Sequence, residues 1–288
     1  MQYSRQLLSF LLALSFQGCS SLFFYPDQIT YRTPQFYELA YDDLYFASTD
    51  SLSLHAWHIY PRPEAAASKG LIFVAHGNAQ NLSSHFASWV WLVEEGYELF
   101  IFDYRGYGES QGSVDIKGAV EDTQAALEYL EAHYKGDYFA CGQSLGGSLL
   151  LNALHKRANN RIRAVIIDSA FMGFADIVNE KMAQSWLSWP FQWVAYLTLS
   201  SKYDAKQKLS QINAPLLFVH GSLDRIVSPN NSWQLFEDAR MPKEFWLVKE
   251  AGHIQALENE KVREDFLDFL RKHRGHFNPA YSAMKIYE

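Results

Sequence analysis

The pentapeptide Gly142-Gln143-Ser144-Leu145-Gly146 constrains this chain more than any other stretch. It follows a β-rich run, Asp137-Tyr138-Phe139-Ala140-Cys141, and precedes an apolar, helix-compatible run, Gly147-Ser148-Leu149-Leu150-Leu151-Asn152-Ala153-Leu154. A strand that passes into a helix over so short a link must turn sharply, and a side chain at either flanking glycine would crowd the corner. Ser144 at the apex is then expected in a strained backbone conformation, with its hydroxyl pushed out over the sheet edge. The helix starting behind it presents backbone N–H groups to any developing anion. A glycine-rich turn with an incidental serine is the plainer alternative, and the flanking strand and helix weigh against it.

The remaining pattern agrees with a sheet that such a corner could sit on. Leu71-Ile72-Phe73-Val74-Ala75 is continuously apolar, as expected of a parallel strand covered on both faces. Strands are likewise expected at Glu98-Leu99-Phe100-Ile101-Phe102, Ala164-Val165-Ile166-Ile167, Leu216-Leu217-Phe218-Val219 and Phe245-Trp246-Leu247-Val248. Between and after them, apolar periodicity predicts helices over residues 83–95, 116–133 and 260–271. Ahead of this alternation, residues 44–47 and 52–59 read as a hairpin turning at Ser48-Thr49-Asp50-Ser51. The expected fold class is α/β, a doubly wound, mostly parallel sheet with an antiparallel start, in one domain over residues 39–272. Residues 171–212 join two strands with more chain than one crossover needs, and they hold Trp186, Trp189, Phe191, Trp193 and Tyr196 around Pro190. They are expected to form a short helical lid, or otherwise an extra packing helix. Residues 273–288 are expected to be a polar C-terminal tail with His273 and His276 in a solvated end.

At 288 residues the chain is long enough for one large core, and its net charge of −7 comes with no cluster of Lys and Arg, which argues against nucleic acid as a partner. Cys141 sits in the strand before Ser144 and reads as a small core residue. Residues 1–18 have the form of a signal peptide: Arg5, an apolar stretch over residues 7–16, then Gly18-Cys19. This end resembles the lipobox of bacterial lipoproteins, although Phe16 and Gln17 depart from its usual residues. The resemblance implies lipidation at Cys19, a tether over residues 19–38, and a bacterial cell-envelope location anchored to a membrane, with Ser20 favouring the outer membrane. An ordinary secretory or periplasmic signal, or an uncleaved N-terminal anchor, is the alternative.

Further motifs follow the strands in order: His76-Gly77-Asn78-Ala79, Asp103-Tyr104-Arg105-Gly106-Tyr107-Gly108, the Ser144 turn, His220-Gly221-Ser222-Leu223-Asp224 and Gly252-His253. In this order the chain resembles the α/β-hydrolase superfamily over roughly residues 39–271, in particular small-cap serine hydrolases of the Bem46-like and bacterial lipoprotein kind. The resemblance implies Ser144 as nucleophile, His253 as general base and Asp224 as the acid that orients it, with Asp168 as the competing acid. It implies an oxyanion hole from the backbone N–H groups of Asn78 and Leu145, a structural role for His76, and a structural turn at Asp103–Gly108. The expected chemistry is cleavage of carboxylic esters or thioesters of apolar acyl groups through an acyl-enzyme, with no cofactor and no metal. His55 and His58 are three apart on a strand and so point to opposite faces. A serine aminopeptidase and a non-catalytic ligand-binding lipoprotein are the competing readings, and an aspartate would have to replace Ser144 for a haloalkane dehalogenase.

Overall fold

Strand β3 (Leu71–Ala75) has every side chain buried, because it lies mid-sheet with helices packed on both faces. Leu71, Phe73 and Ala75 point into one hydrophobic core and Ile72 and Val74 into the other. This period-two division of a continuous apolar run is what a doubly covered strand requires. The computed structural model, which describes residues 24–62, 67–155, 161–183, 193–274 and 281–288, is built on a nine-stranded sheet. Its strands are β1 (Tyr41–Ala47), β2 (Ser53–Ile59), β3, β4 (Glu98–Phe102), β5 (Tyr138–Gln143), β6 (Ile162–Asp168), β7 (Leu216–Gly221), β8 (Lys243–Val248) and β9 (Ser282–Tyr287). Their spatial order is β1-β2-β4-β3-β5-β6-β7-β8-β9. The β1–β2 and β2–β4 pairs are antiparallel and all later pairs are parallel, so the expected α/β class and antiparallel start are both found.

Among the described residues, one face is covered by α3 (Ile116–His133), α4 (Leu145–Ala153) and α7 (Pro229–Asp238), which share a core with Phe73, Phe100 and Phe218. The other face packs α1 (Leu82–His85), α2 (Val90–Glu94) and α8 (Glu260–Arg274) against Ile72, Ile101 and Trp246. Asp115 starts α3 where the periodicity predicts, its carboxylate accepting from Gly118 N–H at 2.8 Å. The helix expected over residues 83–95 is broken, because Phe86–Trp89 is a 3-10 turn between α1 and α2. Phe86 and Trp89 are both fully buried, and a 3-10 turn stacks residues three apart on one side.

Residues 171–212 are helical in their described parts: α5 (Phe174–Ala183), α6 (Trp193–Thr198) and the 3-10 turns Ser201–Tyr203, Ala205–Gln207 and Leu209–Gln211. Trp186 and Trp189 lie outside the described residues, as do Cys19 and the whole leader. In its described part the C-terminal tail is not a solvated end, while His276 lies outside the described residues. Residues 282–287 add β9 beside β8, and His273, still within α8, is buried. Tyr287 accounts for this docking: its ring meets Trp246 edge-on at 5.7 Å and its hydroxyl donates to Asp265 at 2.9 Å. Alternate side chains of this edge strand turn to the sheet's neighbours, with Tyr287 buried and Met284 and Ile286 exposed on the other side. No helix among the described residues is long and apolar enough to cross a membrane.

Candidate active site

Ser144 has the strained corner conformation expected of it, with φ +52° and ψ −116°. The strain is held by close packing. A Cβ on Gly146 would stand 2.1 Å from Ala75 O, and one on Gly142 2.6 Å from Gly147 Cα, so neither position accepts a side chain. Ser144 N–H donates to Asp168 O at 2.7 Å, tying the corner to the end of β6. The serine thus stands at the N-terminus of α4, over the carboxyl end of the sheet.

Two loops from later strands converge on it. His253, beyond β8, has Nε2 at 2.9 Å from Ser144 Oγ and Nδ1 at 2.7 Å from Asp224 Oδ2. A proton on Nδ1 makes the ring a donor to the carboxylate and leaves Nε2 to accept from the serine hydroxyl. Asp224, on the loop after β7, takes two backbone bonds on its other oxygen, from Ile226 N–H at 2.8 Å and Val227 N–H at 2.9 Å. Burial by itself would raise its pKa, but hydrogen bonds from His220, His253 and the Val227 backbone hold the carboxyl well below the usual range. Asp224 is therefore an anion at neutral pH, able to orient and offset a charged imidazole.

Asp168 is placed differently. Its carboxylate accepts from Gln143 Nε2 at 3.2 Å and from Ser169 Oγ at 2.9 Å, so it braces the corner from beneath. Burial pushes its pKa up. The imidazole of His253 is bonded to Asp224 and not to Asp168.

Asn78 and Leu145 line the same cavity as Ser144 and His253, a space of about 300 Å³. Its remaining wall is largely apolar and includes Tyr25, Phe171, Ile177, Ile226 and Ile254, with Lys181 as its one Lys, Arg, Asp or Glu among the described lining residues. Trp193, expected over the cleft, starts α6, is 59% exposed and does not line the cavity. His76 is fully buried, its Nε2 3.1 Å from Asp103 Oδ1, and its backbone oxygen accepts from Tyr104 O–H at 2.9 Å. Asp103 also caps α1 through Leu82 N–H at 2.7 Å, while Arg105 is bonded to Asp122 and Asp50. These contacts are of a packing kind.

His55 and His58 do point apart, the first to Asp43 at 2.6 Å and the second to Glu98 at 2.7 Å. No group of three or more His, Cys, Asp or Glu among the described residues could hold a metal ion. Cys141 is a free, buried thiol.

Several contributors carry no strong sequence signal. His85 lines the cavity and stacks on His76 at 4.9 Å; burial, then the neighbouring His76, pushes its pKa down to about 4, so its neutral ring can donate to Ala79 O at 3.0 Å. Tyr25 comes from the far N-terminal side of the chain, 53 residues before Asn78 to which its backbone N–H is bonded.

Comparison with known proteins bears on the family and the fold. A family model described as "Serine aminopeptidase, S33" matches residues 66–208. YfhR of Escherichia coli K12 is 31% identical over 261 residues, covering 87% of this chain and 86% of that protein. The bem46 protein of Schizosaccharomyces pombe is 27% identical over 219 residues, 71% of this chain and 67% of its own. Among solved structures, an esterase of Pyrococcus furiosus superposes with a TM-score of 0.70 at 19% identity, over 88% of this chain and 99% of that one. At that identity the structural likeness speaks for the fold alone.

Proposed function

From a chain that belongs to the α/β-hydrolase superfamily, we propose a serine hydrolase that cleaves carboxylic esters or thioesters of apolar acyl groups through an acyl-enzyme. Ser144 Oγ attacks the acyl carbonyl while His253 Nε2 takes its proton, and the imidazolium is offset by Asp224. The oxyanion is received by the backbone N–H groups of Leu145 and Asn78. His253 then returns the proton to the leaving alkoxide or thiolate, and water releases the acid by the same steps in reverse.

The observation that carries this reading is the unbroken line from Ser144 Oγ through His253 to Asp224, at 2.9 and 2.7 Å. An apolar wall and a volume of about 300 Å³, at the small end of ligand cavities, favour a short or medium acyl chain. Labelling by a fluorophosphonate, with turnover of p-nitrophenyl esters from acetate to decanoate, tests it. Absence of both in wild-type protein, with Ser144→Ala as the blank, would overturn the reading in favour of a non-catalytic ligand-binding scaffold.

A serine aminopeptidase is the second reading, favoured by the description of the matching family model. A peptide α-amine is a cation that needs a carboxylate near the cleft, whereas the charged residue described in the cavity wall is Lys181. Glu180, next to it, is bonded to Ser228 N–H and Asn231 Nδ2. Hydrolysis of aminoacyl p-nitroanilides faster than of esters would reverse this preference.

The location is also a proposal: lipidation at Cys19 would hold the domain at the bacterial envelope, within reach of lipid-like esters. Intact mass of the membrane fraction tests it, and an unmodified Cys19 or a mature chain starting elsewhere would rule it out.

A further inference from the structure

We propose that residues 24–31 form a strap that holds the Asn78 loop in its strained conformation and so positions the Asn78 backbone N–H for catalysis, with the Asn78 side chain as the clasp. The catalytic part rests on the hydrolase reading above; the mechanical part does not.

The loop needs holding. Ala79 and Gln80 are consecutive non-glycine residues in the left-handed region, with φ +66° and +59°. Such residues each carry a cost and persist only where the surroundings over-determine them. Here the surroundings are the strap. Pro26 forms a parallel bridge with Gln80, and Asp27 N–H reaches Gln80 O at 3.4 Å. Asn81 Nδ2 donates to Asp27 Oδ1 at 2.8 Å and to Ile29 O at 2.9 Å. Tyr31 N–H donates to Ser83 Oγ at 2.9 Å, and Phe24 anchors the other end with its ring in the core. The strap therefore runs alongside residues 78–83 and is bonded to them along its length.

Asn78 Oδ1 is where strap, loop and core meet. It accepts from Tyr25 N–H at 2.9 Å, from Ala79 N–H at 2.8 Å and from the hydroxyl of fully buried Tyr107 at 2.8 Å. Three donors on one oxygen fix the side-chain amide, and with it the peptide plane at which the oxyanion donor stands. Tyr107 is itself held through Gly108, whose N–H donates to Asp27 O at 2.8 Å. The side chain of Asn78 is thus a positioning group, and Tyr25 and Tyr107 act through it.

The test removes one donor at a time. Tyr107→Phe deletes only the hydroxyl, Tyr25→Pro deletes the backbone N–H together with the ring that lines the cavity, so it is read by exchange alone, and Tyr45→Phe, which deletes an exposed hydroxyl bonded to Glu109, is the control. Two readouts are taken: backbone hydrogen exchange over residues 77–81, and kcat and KM on p-nitrophenyl acetate. Both test variants are expected to exchange faster there at an unchanged melting temperature. The kcat of Tyr107→Phe is expected to fall about tenfold with KM held, short of the 10²–10³ that follows loss of an oxyanion donor outright. The control should match wild type. Unchanged exchange in both variants overturns the strap. Faster exchange with wild-type kcat in Tyr107→Phe overturns its catalytic role. If wild-type protein turns over no ester and takes no fluorophosphonate, it is the hydrolase reading that fails, and the exchange data still judge the strap.

Discussion

His220 Nε2 lies 3.0 Å from Asp224 Oδ2, the same oxygen that meets His253 Nδ1 at 2.7 Å. His220 Nε2 is also 3.0 Å from Val227 O, so two acceptors surround that nitrogen and call for a proton on it. Its Nδ1 is then left to accept from Ser232 O–H at 2.7 Å. His220 at the end of β7 fixes the Asp224 loop from below while the backbone of residues 226 and 227 fixes it from the other oxygen.

His220→Phe keeps a ring in this buried place and removes the donor. Asp224 should lose part of its orientation, lowering kcat on p-nitrophenyl butyrate about tenfold, the scale of losing a hydrogen bond to a charged group, with KM little changed. Steady-state kinetics on folded protein decide it, and a wild-type kcat would mean that the backbone donors suffice.

The two acidic residues should separate cleanly. Asp224→Asn is expected to cost about 10⁴ in kcat and Ser144→Ala or His253→Ala on the order of 10⁶, magnitudes taken from the subtilisin series as scale. Asp168→Asn keeps one acceptor oxygen, for Gln143 Nε2, and can turn its amide N–H to Ser169 Oγ, which is able to accept; it should cost far less, because the Asp168 carboxylate does not reach His253. Kinetics showing Asp168→Asn as the worse variant would reverse the assignment of the acid.

Acyl-chain preference should follow the cavity wall and not the exposed aromatics. Ile177→Ala trims a buried wall residue and should lower kcat/KM for hexanoate several-fold more than for acetate, since a buried methylene is worth about 0.8 kcal/mol. Trp193→Ala should leave the hexanoate-to-acetate ratio as it is, because Trp193 is exposed and outside the wall. Measuring the ratio in both variants separates a lid that grips substrate from one that only packs.

Stability should fall with acid in a window set by buried histidines. Burial, then Lys272, lowers the pKa of His273 to about 4 from 6.5, so between these values the unfolded chain binds the proton and the folded one does not. The contribution is complete above about pH 6.5 and is lost as pH falls towards 4; His85 acts in the same sense. His273→Phe, beside Phe269, should flatten the slope of unfolding free energy in this window by up to about 1.4 kcal/mol per pH unit. Urea titrations at pH 4.5, 5.5 and 6.5 measure it, and an unchanged slope would mean that His273 is not the group that titrates.

Much of this protein was determined along the chain. The buried strands, the Asp115 start of α3 and the corner at Ser144 are local facts: period, caps and glycines act over a few neighbours, so they can be read without knowing the fold. The order of the motifs after the strands was legible for the same reason, and Ser144, His253 and Asp224 do meet where parallel strands end on one edge. What the tertiary structure alone decided are pairings between distant segments. Asp168 ends β6 and Asp224 follows β7, and only the tertiary geometry brings one carboxylate to His253 and turns the other under the corner. Residues 282–287 became a strand because β8 offered an edge for them to pair with, which a six-residue run does not announce by itself. Tyr25 bonds to Asn78 across 53 residues of sequence, and such a contact is set by how the sheet and its loops stack, not by any propensity of either residue.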